Sequence, residues 1–387
     1  MRRGAPSARW KFPERWKNGM KMAYRLAARG VRSGSWAGLA ACAAASLWSA
    51  PAWGQPDSLP DAVVTDASLS SSERSRVRSY AEEALELLSS EEAGAVDRAA
   101  AAFMEPFYRR EAASIGFRLA FSAAAAGELR GLATADDVHR AVVANLAAGV
   151  LGTEDTLAAL ELGLGDERPG VRAAAASGLR TVVLTAAADA VRRPQAERSL
   201  ELAAAGLVVE GDATAARALV AALAAGRGEP EVSREGVLAL ARSLPAVREN
   251  AELATFGLDA ESSASASAWS RVFRSSLDAM FGRLIEARSG GAFGPEAVRA
   301  TARGAGEALR YVVSRLEASA DAGEEPAEAE GLRAVVVAGA RVIDLAGQSL
   351  GTGGLGRGIE SAFEGALESG RPAELGEAVE RAMSGLE

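Results

Sequence analysis

The sequence predicts an all-α chain, with stacked helical hairpins in the first two thirds and a C-terminal helical bundle behind them. Three observations carry this. Apolar residues recur at helical spacing in segment after segment, with Pro and Gly at the junctions. Part of one hairpin recurs along the chain. No stretch alternates convincingly with period two, so essentially no sheet is expected.

Residues 1–54 are chemically a different object from the rest. They hold ten basic residues against Glu14, with all three lysines (Lys11, Lys17, Lys21), five of six tryptophans and the only cysteine, Cys42. The remaining chain carries 33 arginines against 50 acids, a net charge of −17. A basic region ends at Arg32, an apolar run spans Trp36 to Trp48, and Ala50-Pro51-Ala52 and Ala52-Trp53-Gly54 offer small-residue cleavage sites. That order is a signal peptide, and the run is short for a membrane span. Leu39-Ala40-Ala41-Cys42 also matches the motif before a lipid-modified cysteine, so lipidation of Cys42 stands as an alternative to ordinary cleavage, as does an uncleaved anchor. Each route puts the body outside the cytoplasm, in the periplasm or secreted. Membrane contact is expected only through the signal segment or a lipidated Cys42. After cleavage no cysteine remains, which excludes a disulfide framework and a thiol nucleophile.

Residues 55–69 read as an extended polar leader containing Pro56 and Pro60. Ser70-x-x-Glu73 then fits a capping box and opens a helical-repeat domain over 70–260. Arg74, Arg76 and Arg78 form a basic stripe that Glu82 and Glu83 can pair on their own helix. Phe103, Phe107, Tyr108, Phe117 and Phe121 sit at a spacing that means packing rather than a ligand box.

The hairpin at Thr153–Val183 is the clearest unit. Thr153 is placed to cap a helix carrying Leu157, Leu160 and Leu164, and Gly165-Asp166 breaks it. Pro169 suits the first turn of the next helix, whose Val171, Ala174, Ala175, Gly178, Leu179 and Val182 make one apolar stripe of mostly small residues. A lone hairpin cannot cover both apolar faces, so stacked neighbours are required. A shift of 33 places Glu128, Leu129, Val138, Ala141 and Leu146 on Glu161, Leu162, Val171, Ala174 and Leu179. A shift of 61 the other way places Leu223, Val232 and Leu240 on Leu162, Val171 and Leu179.

In the order D-x-x-P-x-V-R-x-x-A-x-x-x-L, the residues Asp166, Pro169, Val171, Arg172, Ala175 and Leu179 resemble the HEAT repeat, especially its short bacterial form related to phycobilisome-lyase repeats. The resemblance covers one unit well and two or three in part, over roughly residues 110–250. It implies a right-handed helical solenoid with a binding face and no particular reaction. It also implies an inter-repeat polar ladder that Asp166 and Arg172 could join. His139 and Ser233 stand at the Arg172 position in the flanking copies, so the ladder is expected to be interrupted.

Ser262–Ser267 (SSASAS) is a candidate boundary before a C-terminal helical region over 261–387. Helices are expected at Ala268–Arg288, Pro295–Ser319, Glu328–Leu350 and Gly358–Ser369, with a short one after Pro372. The third is apolar nearly all round, which marks a central helix, and the acidic loop Glu324–Glu328 precedes it.

Groups that carry chemistry are few. His139 is the only histidine, and a structural role suits it better than a triad. The usual two- and three-histidine zinc sites are excluded, and the acid pairs lack EF-hand spacing. Gly351-Thr352-Gly353-Gly354-Leu355-Gly356 matches G-x-G-x-x-G, but it follows a helix and too little chain remains for a dinucleotide fold, so a turn is expected. The acidic body disfavours nucleic acid. No catalytic residue, cofactor or metal is expected. The function that follows is an exported, non-enzymatic scaffold binding another protein through a concave face. The alternative is a hydrolase or enzyme accessory with an acidic site between the repeats and the C-terminal bundle. Intact-mass measurement of the chain recovered from a bacterial envelope should show loss of everything through Ala52 or Gly54. A diacylglycerol adduct on Cys42 would instead select lipidation.

Overall fold

Leucine- and alanine-rich segments punctuated by Pro, Asp and Gly fold into fifteen α-helices, with no strand among the described residues. The structure is a computed structural model describing residues 56, 58–108, 113–188, 190–226, 229–255, 260–290, 293–322, 326 and 328–386. The signal segment and Cys42 lie outside the described residues. The helices are α1 (Asp61–Thr65), α2 (Ser71–Ser89), α3 (Ala95–Met104), α4 (Ile115–Leu132), α5 (Val138–Leu151), α6 (Glu154–Leu164), α7 (Pro169–Ala186) and α8 (Arg193–Val209). There follow α9 (Ala213–Leu223), α10 (Pro230–Ala254), α11 (Ala260–Gly290), α12 (Pro295–Ala322), α13 (Ala329–Leu350), α14 (Ile359–Ser369) and α15 (Ala373–Ser384).

Their starts follow the local chemistry. Ser70 caps α2 by accepting from the Glu73 N–H at 3.3 Å, while the Glu73 carboxylate accepts from the Ser70 N–H at 2.8 Å. Asp137 and Asp212 cap α5 and α9 with their carboxylates. Pro occupies the first turn of α7, α8 and α10, where its missing N–H costs nothing. Thr153 sits at the N-cap of α6 as expected, in a capping box with Thr156. Its hydroxyl bonds Ser122 of α4 at 2.5 Å, and Thr156 Oγ1 accepts from the Thr153 N–H.

From α2 to α13 the helices pack in two rows. The even-numbered helices touch in succession from α2 to α12, and the odd-numbered ones from α3 to α13. Hairpin partners such as α6 and α7, α8 and α9, and α12 and α13 join the rows. At the end the order reverses: α14 lies on α13, while α15 returns to α12.

The apolar interior forms two clusters. One runs from Leu59 to Leu151 and holds Tyr80, Phe103, Phe117 and Phe121, so most of the aromatic group is indeed packing, although Tyr108 is exposed. The other runs from Ala133 to Leu386 around Trp269. Helix α5 belongs to both, giving Ala144, Ala147 and Leu151 to the first and Ala148 to the second.

Four expectations need correction. The 55–69 leader is not simply extended. Asp61–Thr65 is a helical turn, Leu59, Val63 and Val64 are buried, and Val64 and Asp66 carbonyls accept from Ser114 at the start of α4. Ser262–Ser267 is no linker, because it lies inside α11, and the second cluster continues from Ala251 through Trp269. The 33-residue register is off by two. Asp137 and Arg168 are the equivalent N-caps, a shift of 31, so Val138 is the exposed first residue of α5 while Val171 is buried in the third position of α7. Under the same shift of 33, Leu129 is buried and Leu162 exposed, and Leu146 is only half-buried where Leu179 is fully covered. Finally, the shift of 61 superposes the first turns of α7 and α10, with Val232 and Leu240 buried like Val171 and Leu179, yet α7 and α10 stand in opposite rows. Leu223 ends α9 and is not a counterpart of Leu162 on a first helix. The two register slips share a physical reason: alanine and leucine recur so often that an apolar stripe reads alike in several registers and in either row.

Glycines set the closest approach. A Cβ on Gly149 of α5 would stand 2.3 Å from the Gly178 Cα of α7, and one on Gly178 would stand 2.6 Å from Leu160 Cδ2. Backbone meets backbone there, and nothing can move aside. Gly127 of α4, in contrast, faces open space. Urea unfolding should therefore show Gly149→Ala less stable by about 1–3 kcal/mol, and Gly127→Ala more stable by roughly 0.5–1 kcal/mol.

Candidate functional site

Polar side chains concentrate where the turns meet. Asp166 accepts from the Arg168 backbone and side chain at 2.7–2.8 Å. Arg168 also donates to the Asp136 carbonyl at 2.8 Å, in the turn before α5. Arg172 forms a two-pronged pair with Glu210 at 2.7 and 2.8 Å, in the turn before α9, and donates to the Asp166 and Glu167 carbonyls. Arg140 reaches back to the Ser90 carbonyl before α3. A polar ladder thus runs through the starts of α3, α5, α7 and α9. Asp166 and Arg172 both take part in it, through Arg168 and Glu210 rather than by pairing their side chains with each other. His139 belongs to a different contact, 3.3 Å from Asp97 on α3, and half-exposed. Ser233 is buried in α10, away from these turns.

The Arg168 side-chain bond, ahead of its charge, holds the Asp166 carboxyl below the usual carboxylate range. Glu210 does the converse to Arg172, whose pKa is raised.

Elsewhere, arginines are buried against the carbonyls at helix ends, where the dipole favours a cation. Arg118 of α4 donates to the Val150 carbonyl, and to that of Leu151 at 3.3 Å, and lies over the Phe107 ring. It has no carboxylate among these partners, and burial pulls it down to about 10. Arg283 of α11 donates to the Ala224 carbonyl at 2.9 Å, beyond α9. Arg315 of α12 donates to the Thr255 carbonyl at 2.6 Å and pairs with Glu328 at 2.9 Å, both side chains almost fully buried. Glu328, at the junction of the acidic loop and α13, is thus buried. Beside this pair, burial raises the Tyr311 hydroxyl far above its ordinary range.

A cleft of about 390 Å³ lies between α10, α12 and α15, where the repeat and C-terminal regions meet. A chain of charges crosses it: Glu252, Arg248, Glu307, Arg310 and Glu380. Every member is held by its neighbours, so the arrangement braces three helices. A smaller cleft of about 210 Å³ is lined by Glu91, Glu92, Asp97, Asp137, His139 and Arg140. Among the described residues, no group of three or more His, Cys, Asp or Glu side chains is placed to hold a metal, and no helix is long and apolar enough to cross a membrane. The G-x-G-x-x-G segment is the turn between α13 and α14; Gly351 and Gly354 take φ of 81° and 83°, and a Cβ on Gly356 would stand 2.3 Å from the Ala340 carbonyl oxygen. It follows a helix and offers no dinucleotide cradle.

Pro169, Val171, Leu179, Val232 and Leu240 sit in or beside the packed interior, so they are structural positions. Arg118, Arg168, Glu210, Arg283, Arg315 and Glu328 carry the polar contacts and had no distinguishing sequence signal, since each lies in an ordinary helical or turn context. No protein-family model matches the chain, and no curated protein or solved structure matches it either.

Two measurements test this. Glu328→Gln leaves Arg315 buried without a countercharge and should cost about 3–5 kcal/mol in urea unfolding, with much of it regained in Arg315→Met/Glu328→Leu. Because the Asp166 pKa is depressed on folding, its contribution is present above the unfolded value and lost as pH falls through the folded one. The stability advantage of wild type over Asp166→Asn should be full at about pH 6 and shrink below about pH 4.

Proposed function

We propose that the chain is an exported, non-enzymatic scaffold, a HEAT-like right-handed solenoid that binds another protein along its concave face. The observation that carries this reading is the two-row packing, in which each helix from α2 to α11 lies against the next but one in the chain. Stacking of that kind buries the flanks of hairpins and leaves one outward face per row. The odd row is the natural inner wall. Its helices α5 and α7 meet through glycine backbones, and a row whose members lie closer together falls on the inside of a curve. The ladder through the turn starts supports the resemblance to HEAT repeats, and the basic, apolar and small-residue order of residues 1–54 supports export.

The second reading, a hydrolase or enzyme accessory, has the cleft between α10, α12 and α15 in its favour, since that is where its site was expected. The mutual pairing of Arg248, Glu307, Arg310 and Glu380 favours bracing instead.

Photo-crosslinking in the producing cell separates the faces. A photoreactive residue at exposed Leu184 or Asp278, on the odd row, should give an adduct of one discrete mass, while one at exposed Ala205 or Arg234, on the even row, should give none. Equal labelling from both rows, or none from either, would overturn the scaffold reading.

A further inference from the structure

We infer that the cleft between α10, α12 and α15 binds a small aliphatic dication, with an ammonium or guanidinium group at each end of a short carbon chain. This goes beyond the scaffold reading and does not depend on it.

The cleft is built from one face of α12 and two walls. Glu307, Arg310, Ser314 and Glu317 follow one another at helical spacing and share that face. Arg248 and Glu252 of α10 stand on one side, and Gly376, Val379 and Glu380 of α15 on the other. A volume of about 390 Å³ suits a small molecule.

Charge selects the sign of the ligand. Arg248 and Arg310 stand against Glu252, Glu307, Glu317 and Glu380, which leaves a net charge of −2. Both guanidinium groups already hold carboxylates. An anionic ligand would therefore meet repulsion without gaining a free cation.

Two carboxylates keep capacity for a donor. Glu317 is exposed, Ser314 is half-buried one turn before it, and neither forms a hydrogen bond or ion pair among the described residues. Arg310 places both of its bonds to Glu380 on Oε1, at 3.0 and 2.8 Å, so Oε2 has no donor among the described residues. One free acceptor thus comes from α12 and one from α15. A basic side chain of a protein brings a single charge, whereas a dication can answer both.

The apolar part of the lining suits a carbon chain. Val313 and Val379 contribute it, and Gly376 leaves room beside them. A Cβ on Gly376 would stand 3.7 Å from Val313 Cγ1, an ordinary contact, so packing does not require glycine there. Glycine weakens a helix interior, and this is the only one between Ala373 and Ser384. What the missing side chain provides is open space in the cleft.

The test is isothermal titration calorimetry of the full chain with agmatine, which carries a guanidinium and an ammonium at opposite ends of an aliphatic stem. Saturable binding at a single site is expected, weakened about tenfold by Glu317→Gln. Glu368→Gln, on an exposed position of α14 that does not line the cleft, should bind as wild type does. Gly376→Leu should abolish binding by filling the open space, with far-UV circular dichroism confirming the fold of each variant. γ-Guanidinobutyrate, which has a carboxylate in place of the ammonium, should bind at least about tenfold more weakly than agmatine. Absence of saturable binding, equal weakening by Glu317→Gln and Glu368→Gln, or equal binding of the two probes would overturn the inference. So would tighter, Glu317-dependent binding of an oligo-arginine peptide, which would assign the cleft to a basic protein segment instead.

Discussion

Close approach between small-residue helices is the constraint on which this structure depends. Much of the interior is alanine, whose methyl group covers little area, so burial yields enough only if many helices press together at short range. The contact of Gly149 with Gly178 is the extreme case, where α5 and α7 touch through backbone. Close spacing then dictates the layout. A helix this thinly padded contacts its neighbours on several sides, and α5 is covered along almost its whole length, with exposed positions only at its first turn.

Such packing leaves helix ends crowded and their carbonyls short of water. Arginine solves this because its planar fork spans several acceptors while its stem lies along apolar surface. Arg118, Arg172, Arg283 and Arg315 each cross from one hairpin to another and finish on carbonyls or a buried carboxylate. Asn145 does the same on a smaller scale, donating at 2.8 Å to the Ala133 carbonyl after α4 and to that of Ala141. These bonds fix the relative level of the rows, which apolar stripes alone would allow to slide.

That division explains what could be read from the sequence. Helix type and most boundaries were legible because they depend on local chemistry: the Ser70–Glu73 cap, Pro169 and Pro295 at helix starts, and the apolar stripe of α13. Arg78 pairs with Glu82 as a four-residue spacing allows. Register was not legible. Alanine and leucine recur so often that a shift of 33 looks as good as the structural 31, and α10 imitates α7 from the other row. The buried charges were invisible for a different reason. Glu328 follows two glutamates and a proline and looks solvated; only the arrival of Arg315, thirteen residues earlier and one helix away, removes it from water.

Two populations of arginine result. The internal ones are consumed by the fold, each with an acceptor that would be left bare without it. The outer ones that form no ion pair among the described residues lie on both rows: Arg74, Arg76, Arg130, Arg234, Arg242 and Arg303 on the even helices, and Arg180, Arg217, Arg271 and Arg341 on the odd. Solvated on the surface, they add little to the packing, and they temper the self-repulsion of an otherwise acidic body.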